Sequence, residues 1–231
     1  MRGRWRPGAE EIHSVPTMSC RAILFDLDGV LVDSRECIDL IWHAWAAERG
    51  LDPADFLRVA HGRRIAETLR LVAPQVDASV EAAVLDAMEE VETRGLRAAP
   101  GAAALLRQLS EAQRAIVTSG SRAVATLRLR TAGLPTPGVF VTAGDVERGK
   151  PDPEGYLLAA SRLGVAPADC VVVEDSPPGV GAGKAAGMAV IAVLTTYPAV
   201  ALSSADVRLG ALADLRVRPA AAASRDLTLD F

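Results

Sequence analysis

Asp26 and Asp28 stand one residue apart, directly after the apolar run AILF (22–25), and Gly29 follows them. Carboxylates crowded at the end of a buried segment repel one another and shift toward the neutral form unless a cation lies among them. A divalent ion is the simplest such cation. Because the motif offers oxygen ligands and no histidine or cysteine, Mg²⁺ is the natural candidate.

Further polar residues follow the other strand-like apolar runs of the chain. They are Ser119 and Gly120 after AIVT (115–118), Lys150 after VFVT (139–142), and Glu174 and Asp175 after CVVV (170–173). Each segment taken alone also suits a turn or a helix cap. Their coincidence at the ends of separate strands favours one shared site, because ligands gather at the carboxyl ends of parallel strands.

The combination of a divalent ion, a lysine, a hydroxyl and backbone N–H groups at a helix start suits a phosphoryl group. Asp26 lies nearest the rigid strand, so it is placed to attack phosphorus and form an aspartyl-phosphate. Asp28 is turned away at Gly29, so it is placed to protonate the leaving oxygen and then to activate water. The spacing therefore predicts one nucleophile and one acid/base.

The elements that must position these residues alternate between strands and helices. A fifth strand-like run, VIAVL, covers 190–194, and helical spacing is found over 100–110, 121–132, 153–163 and 177–186. Strands that are apolar throughout, with helices between them, indicate a parallel sheet covered on both faces. We therefore predict an α/β, Rossmann-like fold.

Residues 35–98 interrupt this alternation with helix-like patterns only, which predicts an inserted all-helical cap domain. Its predicted helices are 35–49, 54–60, 65–73 and 78–97. The catalytic core is then formed by residues 18–34 and 99–215. The acidic residues of the last cap helix are interpreted as a solvated face: Glu81, Asp86, Glu89, Glu90 and Glu92.

The two ends of the chain carry weaker patterns. We expect residues 1–17 to be a disordered extension, because the basic run RGRWR is followed by Pro7 and Gly8. We expect residues 216–231 to be a flexible tail, because the segment is rich in alanine and has no clear period.

Composition limits the partners of the protein. The chain has 231 residues, half of them apolar, and a net charge of -4, so a nucleic-acid partner is not expected. No apolar run reaches the length of about 18 residues that spans a bilayer, so no membrane partner is expected. Three widely spaced cysteines suit a reducing compartment. We expect a cytoplasmic monomer.

The segments DLDGVLVDS, TSGS, GKPDPE and VVVEDSPPG resemble, in order and spacing, the four motifs of the haloacid dehalogenase-like hydrolases. The resemblance covers nearly all of residues 20–215 and is strongest with the branch of β-phosphoglucomutase and the small sugar-phosphate and glycerol-phosphate phosphatases. It implies that Asp26 is nucleophile and metal ligand. It also implies that Asp28 is the acid/base, with its backbone carbonyl on the Mg²⁺.

The same resemblance implies roles for the residues after the other strands. Ser119, Gly120 and Lys150 would bind the transferring phosphoryl group, while Glu174 and Asp175 would complete the magnesium site. The second aspartate favours phosphate chemistry over dehalogenation, because dehalogenases of this family lack it.

The cap sequence AHGRR (60–64) falls where relatives in this family place a substrate-specificity loop. His61, Arg63 and Arg64 are therefore candidates for binding a substrate hydroxyl or a second phosphate. Three functions stay open: a Mg²⁺-dependent phosphatase for a small phosphorylated sugar or polyol, a phosphomutase like β-phosphoglucomutase, and a catalytically silent binding or sensor protein.

Overall fold

The computed structural model describes residues 17–219 and 226–231. The expected extension therefore lies outside the described residues, except for Thr17. The strands are β1 (Thr17–Cys20), β2 (Ala22–Phe25), β3 (Val32–Asp33), β4 (Arg97–Ala98), β5 (Arg114–Val117), β6 (Phe140–Val141), β7 (Cys170–Glu174), β8 (Ala189–Val193), β9 (Val207–Leu209), β10 (Arg216–Pro219) and β11 (Leu227–Asp230). The α-helices are α1 (Arg35–Glu48), α2 (Pro53–Ala60), α3 (Ile65–Val72), α4 (Ala78–Glu89), α5 (Ala102–Gln108), α6 (Arg122–Thr131), α7 (Glu154–Leu163) and α8 (Pro177–Ala185).

A six-stranded parallel sheet forms the centre of the molecule, in the order β6-β5-β2-β7-β8-β9. Every residue of β2 is buried, and successive side chains enter opposite layers, as strand geometry requires. Ile23 and Phe25 pack with α5 and α6, whereas Ala22 and Leu24 pack with α7 and α8. The predicted Rossmann-like sheet with helices on both faces is confirmed.

Helices α6 and α8 begin next to the carboxyl ends of β5 and β7, and a serine caps each of them. The Ser121 hydroxyl accepts a hydrogen bond from Val124 N at 3.3 Å, and the Ser176 hydroxyl accepts one from Gly179 N at 3.2 Å. These caps satisfy N–H groups that have no partner within the helix. As a result, two helix N-termini face the sheet edge where the predicted site residues lie.

Helices α1–α4 pack around their own aromatic cluster. Trp42 stacks on Phe56 with ring centroids 5.2 Å apart, and Trp45 meets both rings edge-on. The chain enters and leaves this helical unit through the antiparallel pair β3–β4. Helix α4 ends at Glu89, earlier than the predicted residue 97. The next residues include Thr93 and Gly95, both poor helix formers, and Arg97 already pairs with β3.

The expectation of a flexible tail from residue 216 does not hold for the described residues. Strands β10 and β11 form an antiparallel sheet with β1, in the order β1-β11-β10. Leu227 and Leu229 are buried, while Thr228 and Asp230 alternate with them at partly exposed positions. This period of two is the strand signal, and it is only four residues long. Residues 220–225 lie outside the described ranges.

Candidate active site

Lys150 lies at the centre of a buried cluster at the carboxyl edge of the sheet. Its ammonium donates to Asp26 Oδ1, to Glu174 Oε1 at 2.6 Å and to the Val117 carbonyl at 3.2 Å. Burial acts to lower the pKa of Lys150, but the charges of Asp26 and Glu174 outweigh it and raise the pKa above its usual value. The ammonium therefore stays charged in a nearly water-free site.

Glu174 is fully buried, and protein donors occupy both of its carboxylate oxygens. Oε1 accepts from Lys150 and, at 2.9 Å, from the Tyr156 hydroxyl. Oε2 accepts from the backbone N–H groups of Asp175 and Ser176 and from the Ser176 hydroxyl, at 2.9–3.1 Å. Five hydrogen bonds fix this carboxylate, so Glu174 holds Lys150 in place whatever else it binds.

Asp26 and Asp175 each keep one oxygen that accepts no hydrogen bond from the described residues. Asp26 Oδ1 accepts from Lys150, and Asp175 Oδ2 accepts from the Thr196 hydroxyl. Burial raises the pKa of Asp26 to about 7; Lys150 opposes this rise, and Glu174 and Asp28 add to it. Burial and the charges of Glu174 and Asp26 raise the pKa of Asp175 well above its usual value. Another cation would keep both groups ionised.

The donor set fits a hard divalent ion. Asp26, Glu174 and Asp175 offer carboxylate oxygens within 4.8 Å of one another. Against these three negative charges, the cluster contains one ammonium, that of Lys150, so two negative charges remain. Oxygen-only ligands and this charge suit Mg²⁺. Gly29 permits the close approach of the loop: its φ is +81°, and an added Cβ would lie 1.9 Å from Asp175 Oδ2.

Asp28 has different surroundings from Asp26. Its Oδ1 accepts a hydrogen bond from the Ser34 hydroxyl at 2.7 Å, and its Oδ2 accepts one from Arg128 Nη1 at 2.7 Å. Its carboxylate is not part of the acidic cluster that could hold a metal among the described residues. Both aspartates line the same cavity. The two aspartates therefore have separate partners: Lys150 for Asp26, and Ser34 and Arg128 for Asp28.

The predicted phosphate-binding serine contacts the cap. The Ser119 hydroxyl donates to the carbonyl oxygen of Gly62 at 2.9 Å, and both residues line the cavity. The Gly120 N–H donates to the Thr118 hydroxyl at 3.1 Å, so this backbone donor has a protein partner. Core and cap therefore meet directly at the residues predicted to hold phosphate.

The three candidate residues of loop 60–64 have different partners. Arg64 donates to the carbonyls of Val146 and Glu147 at 2.9 and 3.0 Å, which ties the cap to the core. The Arg63 side chain makes no hydrogen bond or ion pair with the rest of the described chain. His61 Nε2 lies 3.6 Å from Asp39 Oδ1. Burial lowers the pKa of His61, although Asp39 acts in the opposite direction.

Asp26, Asp28, Ser119, Gly120 and the loop 60–64 line a cavity of about 570 Å³ between core and cap, and the rest of the buried cluster adjoins it at Asp26. This volume lies within the range of roughly 300–1,000 Å³ that is typical of small-molecule sites. Three residues that the sequence interpretation missed also line it: Arg128, Asp86 and Glu89. Arg128 is 3% exposed and Glu89 is 7% exposed, and their side chains approach to 3.2 Å.

The solvated face predicted on α4 is therefore wrong for Asp86 and Glu89. These residues share one side of α4 with Ala82, at spacings of three and four residues, and this side faces the cavity. Arg128 lies on the buried side of α6, with Val124, Ala125 and Leu129. The sequence signal available for Arg128 was that an arginine occupies an otherwise apolar position of a helix.

The comparisons with known proteins agree with this geometry. Residues 20–187 match the family described as haloacid dehalogenase-like hydrolase. Hexitol phosphatase A of Escherichia coli (strain K12) is 46% identical over 205 residues, which cover 87% of this chain and 95% of that protein. The 2-deoxyglucose-6-phosphate phosphatase 2 of Saccharomyces cerevisiae is 33% identical, over 79% of this chain and 83% of that protein.

A solved structure gives the same result. A candidate β-phosphoglucomutase from Bacteroides vulgatus superimposes with a TM-score of 0.70 and 32% identity, over 84% of each chain. The predicted family resemblance is confirmed by these matches. In the part of the chain that the structure describes, no helix has the length and apolar character needed to cross a membrane.

Proposed function

The chain belongs to the haloacid dehalogenase-like hydrolases, and from this premise we propose that it is a Mg²⁺-dependent phosphatase acting on a small phosphorylated sugar or polyol. The expected enzyme class, a phosphoric monoester hydrolase, is confirmed by the named relatives. The finer assignment of substrate type, metal and intermediate is our proposal.

One observation carries this proposal: Asp26 belongs to a buried cluster with Lys150, Glu174 and Asp175, and it lines the same cavity as Asp28. The cluster supplies a fixed ammonium and a carboxylate nucleophile on one side of the reacting phosphorus. Asp28 supplies a second carboxyl group with a separate environment. Phosphoryl transfer needs little more than this positioning and charge neutralisation.

In the proposed reaction, Asp26 Oδ2, which accepts no hydrogen bond from the described residues, attacks phosphorus. Asp28 donates a proton to the leaving sugar or polyol oxygen as the P–O bond breaks. Asp28 then takes a proton from water, which hydrolyses the aspartyl-phosphate and restores both carboxyl groups. Lys150 and Ser119 bind the phosphoryl oxygens during both steps.

Asp26, Glu174 and Asp175 are the carboxylates that would hold Mg²⁺, with the backbone carbonyl of Asp28 as a further ligand. When bound, Mg²⁺ supplies positive charge that neutralises the phosphoryl oxygens and keeps the carboxylates ionised. The chain supplies the other elements: a nucleophile, an acid/base and a fixed ammonium.

The testing experiment is phosphate release from a panel of phosphorylated metabolites. The panel contains a hexitol phosphate, 2-deoxyglucose 6-phosphate, glycerol 1-phosphate and β-glucose 1-phosphate, each with Mg²⁺ and with excess chelator. We expect free phosphate from at least one sugar or polyol phosphate, and none in chelator. Full activity in chelator contradicts the metal assignment.

Product analysis of the same panel separates the phosphatase from a phosphomutase. Isomerisation of a sugar phosphate that depends on a bisphosphate, without net phosphate release, supports the mutase and contradicts the proposal. If no substrate gives phosphate release or isomerisation, that result supports a silent binding protein.

A further inference from the structure

The cap wall of the cavity contains a partly buried carboxylate, that of Asp86, to which the described residues offer no hydrogen bond or ion pair. Both of its oxygens therefore keep acceptor capacity that a ligand in the cavity can use.

Neighbouring charges do not provide that partner. Arg128 is the nearest buried cation on this side, but it donates to Asp28 and lies 3.2 Å from Glu89. Its charge is thus already shared between two carboxylates. With Asp86 counted, three carboxylates face one guanidinium in this part of the cavity. A second phosphate placed here would meet like charge, which is costly at a desolvated site.

Hydroxyl groups satisfy these requirements. A sugar or polyol carries several O–H donors and no charge at the end that is distant from its phosphate. A carboxylate can accept two of these hydrogen bonds, one on each oxygen. Asp28, Arg128 and Glu89 form a connected row of side chains from the core to the cap. Asp86 lies three residues before Glu89 on α4, so the distal end of a bound sugar or polyol would reach Asp86.

We propose that Asp86 is a specificity-determining residue that accepts hydrogen bonds from the distal hydroxyl groups of an uncharged, hydroxylated substrate chain. This inference rests on the proposed phosphatase function and narrows its substrate class. It favours polyol and sugar monophosphates over bisphosphates. Arg35, Arg63, Arg64 and Arg97 also line the cavity, so binding of a bisphosphate would require these cations to outweigh the three carboxylates near Arg128.

The test compares two substrates in the full-length protein with Mg²⁺. One is a hexitol phosphate, and the other is p-nitrophenyl phosphate, which has no distal hydroxyl group. The kcat/KM ratio of the two measures the preference for a hydroxylated chain. We expect Asp86→Ala to lower this ratio about 10- to 100-fold, chiefly through KM for the hexitol phosphate. Asp86→Asn keeps an acceptor oxygen and should lower the ratio less.

Glu48→Ala is the matched control. Glu48 is an exposed carboxylate of the cap that does not line the cavity, and its removal changes the net charge by the same amount. We expect its ratio to stay within about twofold of the wild-type value. An unchanged ratio in Asp86→Ala, or equal losses on both substrates, overturns the inference.

A binding measurement separates this inference from the proposed function. Calorimetric titration of a hexitol phosphate into Asp26→Asn and into the double variant with Asp86→Ala requires no turnover. We expect the double variant to bind at least tenfold more weakly. Equal affinities, or no binding by either protein, overturn the role of Asp86. Failure of the phosphatase proposal would appear instead as absence of phosphate release from every substrate by the wild-type enzyme.

Discussion

The core wall and the cap wall of the cavity hold their polar side chains in different ways. On the core wall, Asp26 accepts a hydrogen bond from Lys150; Lys150 and its neighbour Glu174 are 5% and 0% exposed, and each has several hydrogen-bond partners. On the cap wall, Arg63 and Asp86 are partly exposed and make no side-chain hydrogen bond or ion pair with the described residues. Arg64 and Glu89 of the cap are bound to the core, so Arg63 and Asp86 are the cap charges that differ most from the fixed charges of the core.

This difference matches two tasks. Groups that stabilise a developing charge work best when they are already oriented, because reorienting them during the reaction costs free energy. Groups that recognise a substrate need free hydrogen-bonding capacity before the substrate arrives. We therefore expect core variants to lose turnover or folding stability, and cap variants to lose affinity or selectivity.

The largest effect is expected for Asp26→Asn. The amide cannot attack phosphorus, while the side-chain volume is almost unchanged, so kcat should fall by at least about 10³-fold with the fold retained. Phosphate release gives kcat, and circular dichroism gives the thermal midpoint. Asp55→Asn is the control, because Asp55 is exposed on the cap and pairs with Arg58. Phosphatase activity retained in Asp26→Asn contradicts its assignment as nucleophile.

The second-largest effect is expected for Lys150→Met, which should lower both the activity and the stability of the protein. The variant leaves Asp26 and Glu174 buried without their shared cation, which costs about 3–5 kcal/mol of unfolding free energy. Carboxyl groups stranded in this way have a raised pKa in the folded state. The loss should therefore be smallest at the low end of the pH range, where the fewest carboxyl groups are ionised in the unfolded state, and should grow as pH rises.

Urea denaturation of Lys150→Met and wild type, in chelator and from pH 4 to 8, measures this dependence. Lys184→Met is the control, since Lys184 pairs with Asp206 at the surface and should cost at most about 1 kcal/mol. A loss for Lys150→Met that is independent of pH would show that the buried carboxylates are not its cause.

The two walls also differed in how far the sequence could predict them. The core residues follow strands, and the ends of parallel strands converge by geometry, so Asp26, Lys150 and Asp175 could be brought together from a one-dimensional pattern. Asp86, Glu89 and Arg128 meet because a separate helical unit docks on the sheet. No local pattern encodes that docking, since a charged face on a helix is equally compatible with solvent.

The C-terminal strand shows a related limit. Leu227 and Leu229 alternate with polar residues over four positions only, and their partner β1 lies some 200 residues earlier in the chain. Pairing at that separation is decided by the burial of the two leucines, which is a tertiary effect. In the loop 60–64, similarly, the sequence offered two equivalent arginines. The structure distinguishes them, because Arg64 binds core carbonyls and Arg63 does not.

A third, smaller effect is expected where the two walls touch, in Gly62→Ala. Gly62 has φ +83°, and an added Cβ would lie 2.1 Å from the Ser176 hydroxyl, so the loop must move away from Ser176, and we expect this to disturb the hydrogen bond from Ser119 to Gly62. A displacement near 1 Å at such a contact can cost about 10²-fold, so we expect kcat/KM to fall about 10- to 100-fold. Gly50→Ala is the control.

Gly50 lies on the cap with φ +63°, and an added Cβ would have no neighbour within 4 Å. Both substitutions therefore carry the backbone cost of roughly 1–2 kcal/mol for a left-handed residue, and only Gly62→Ala adds the collision. The thermal midpoint should fall in both variants, and further in Gly62→Ala because of the added collision. Equal kcat/KM values in the two would show that the contact between Gly62 and the core has no part in turnover.

The smallest effect separates the two arginines. Arg63→Ala should raise KM about 3- to 10-fold with little change in kcat, because the side chain has no bond to the described protein and can act only on the substrate. Arg64→Ala removes two hydrogen bonds to the core and should lower kcat as well, since the loop would dock less often. Arg58→Ala, at an exposed position of α2, is the charge control.

Kinetics are measured on the hexitol phosphate and on glycerol 1-phosphate. If both substitutions change KM and kcat in the same proportion, the two arginines act as one structural unit, and the division between a fixed core wall and an adaptable cap wall does not extend to this loop.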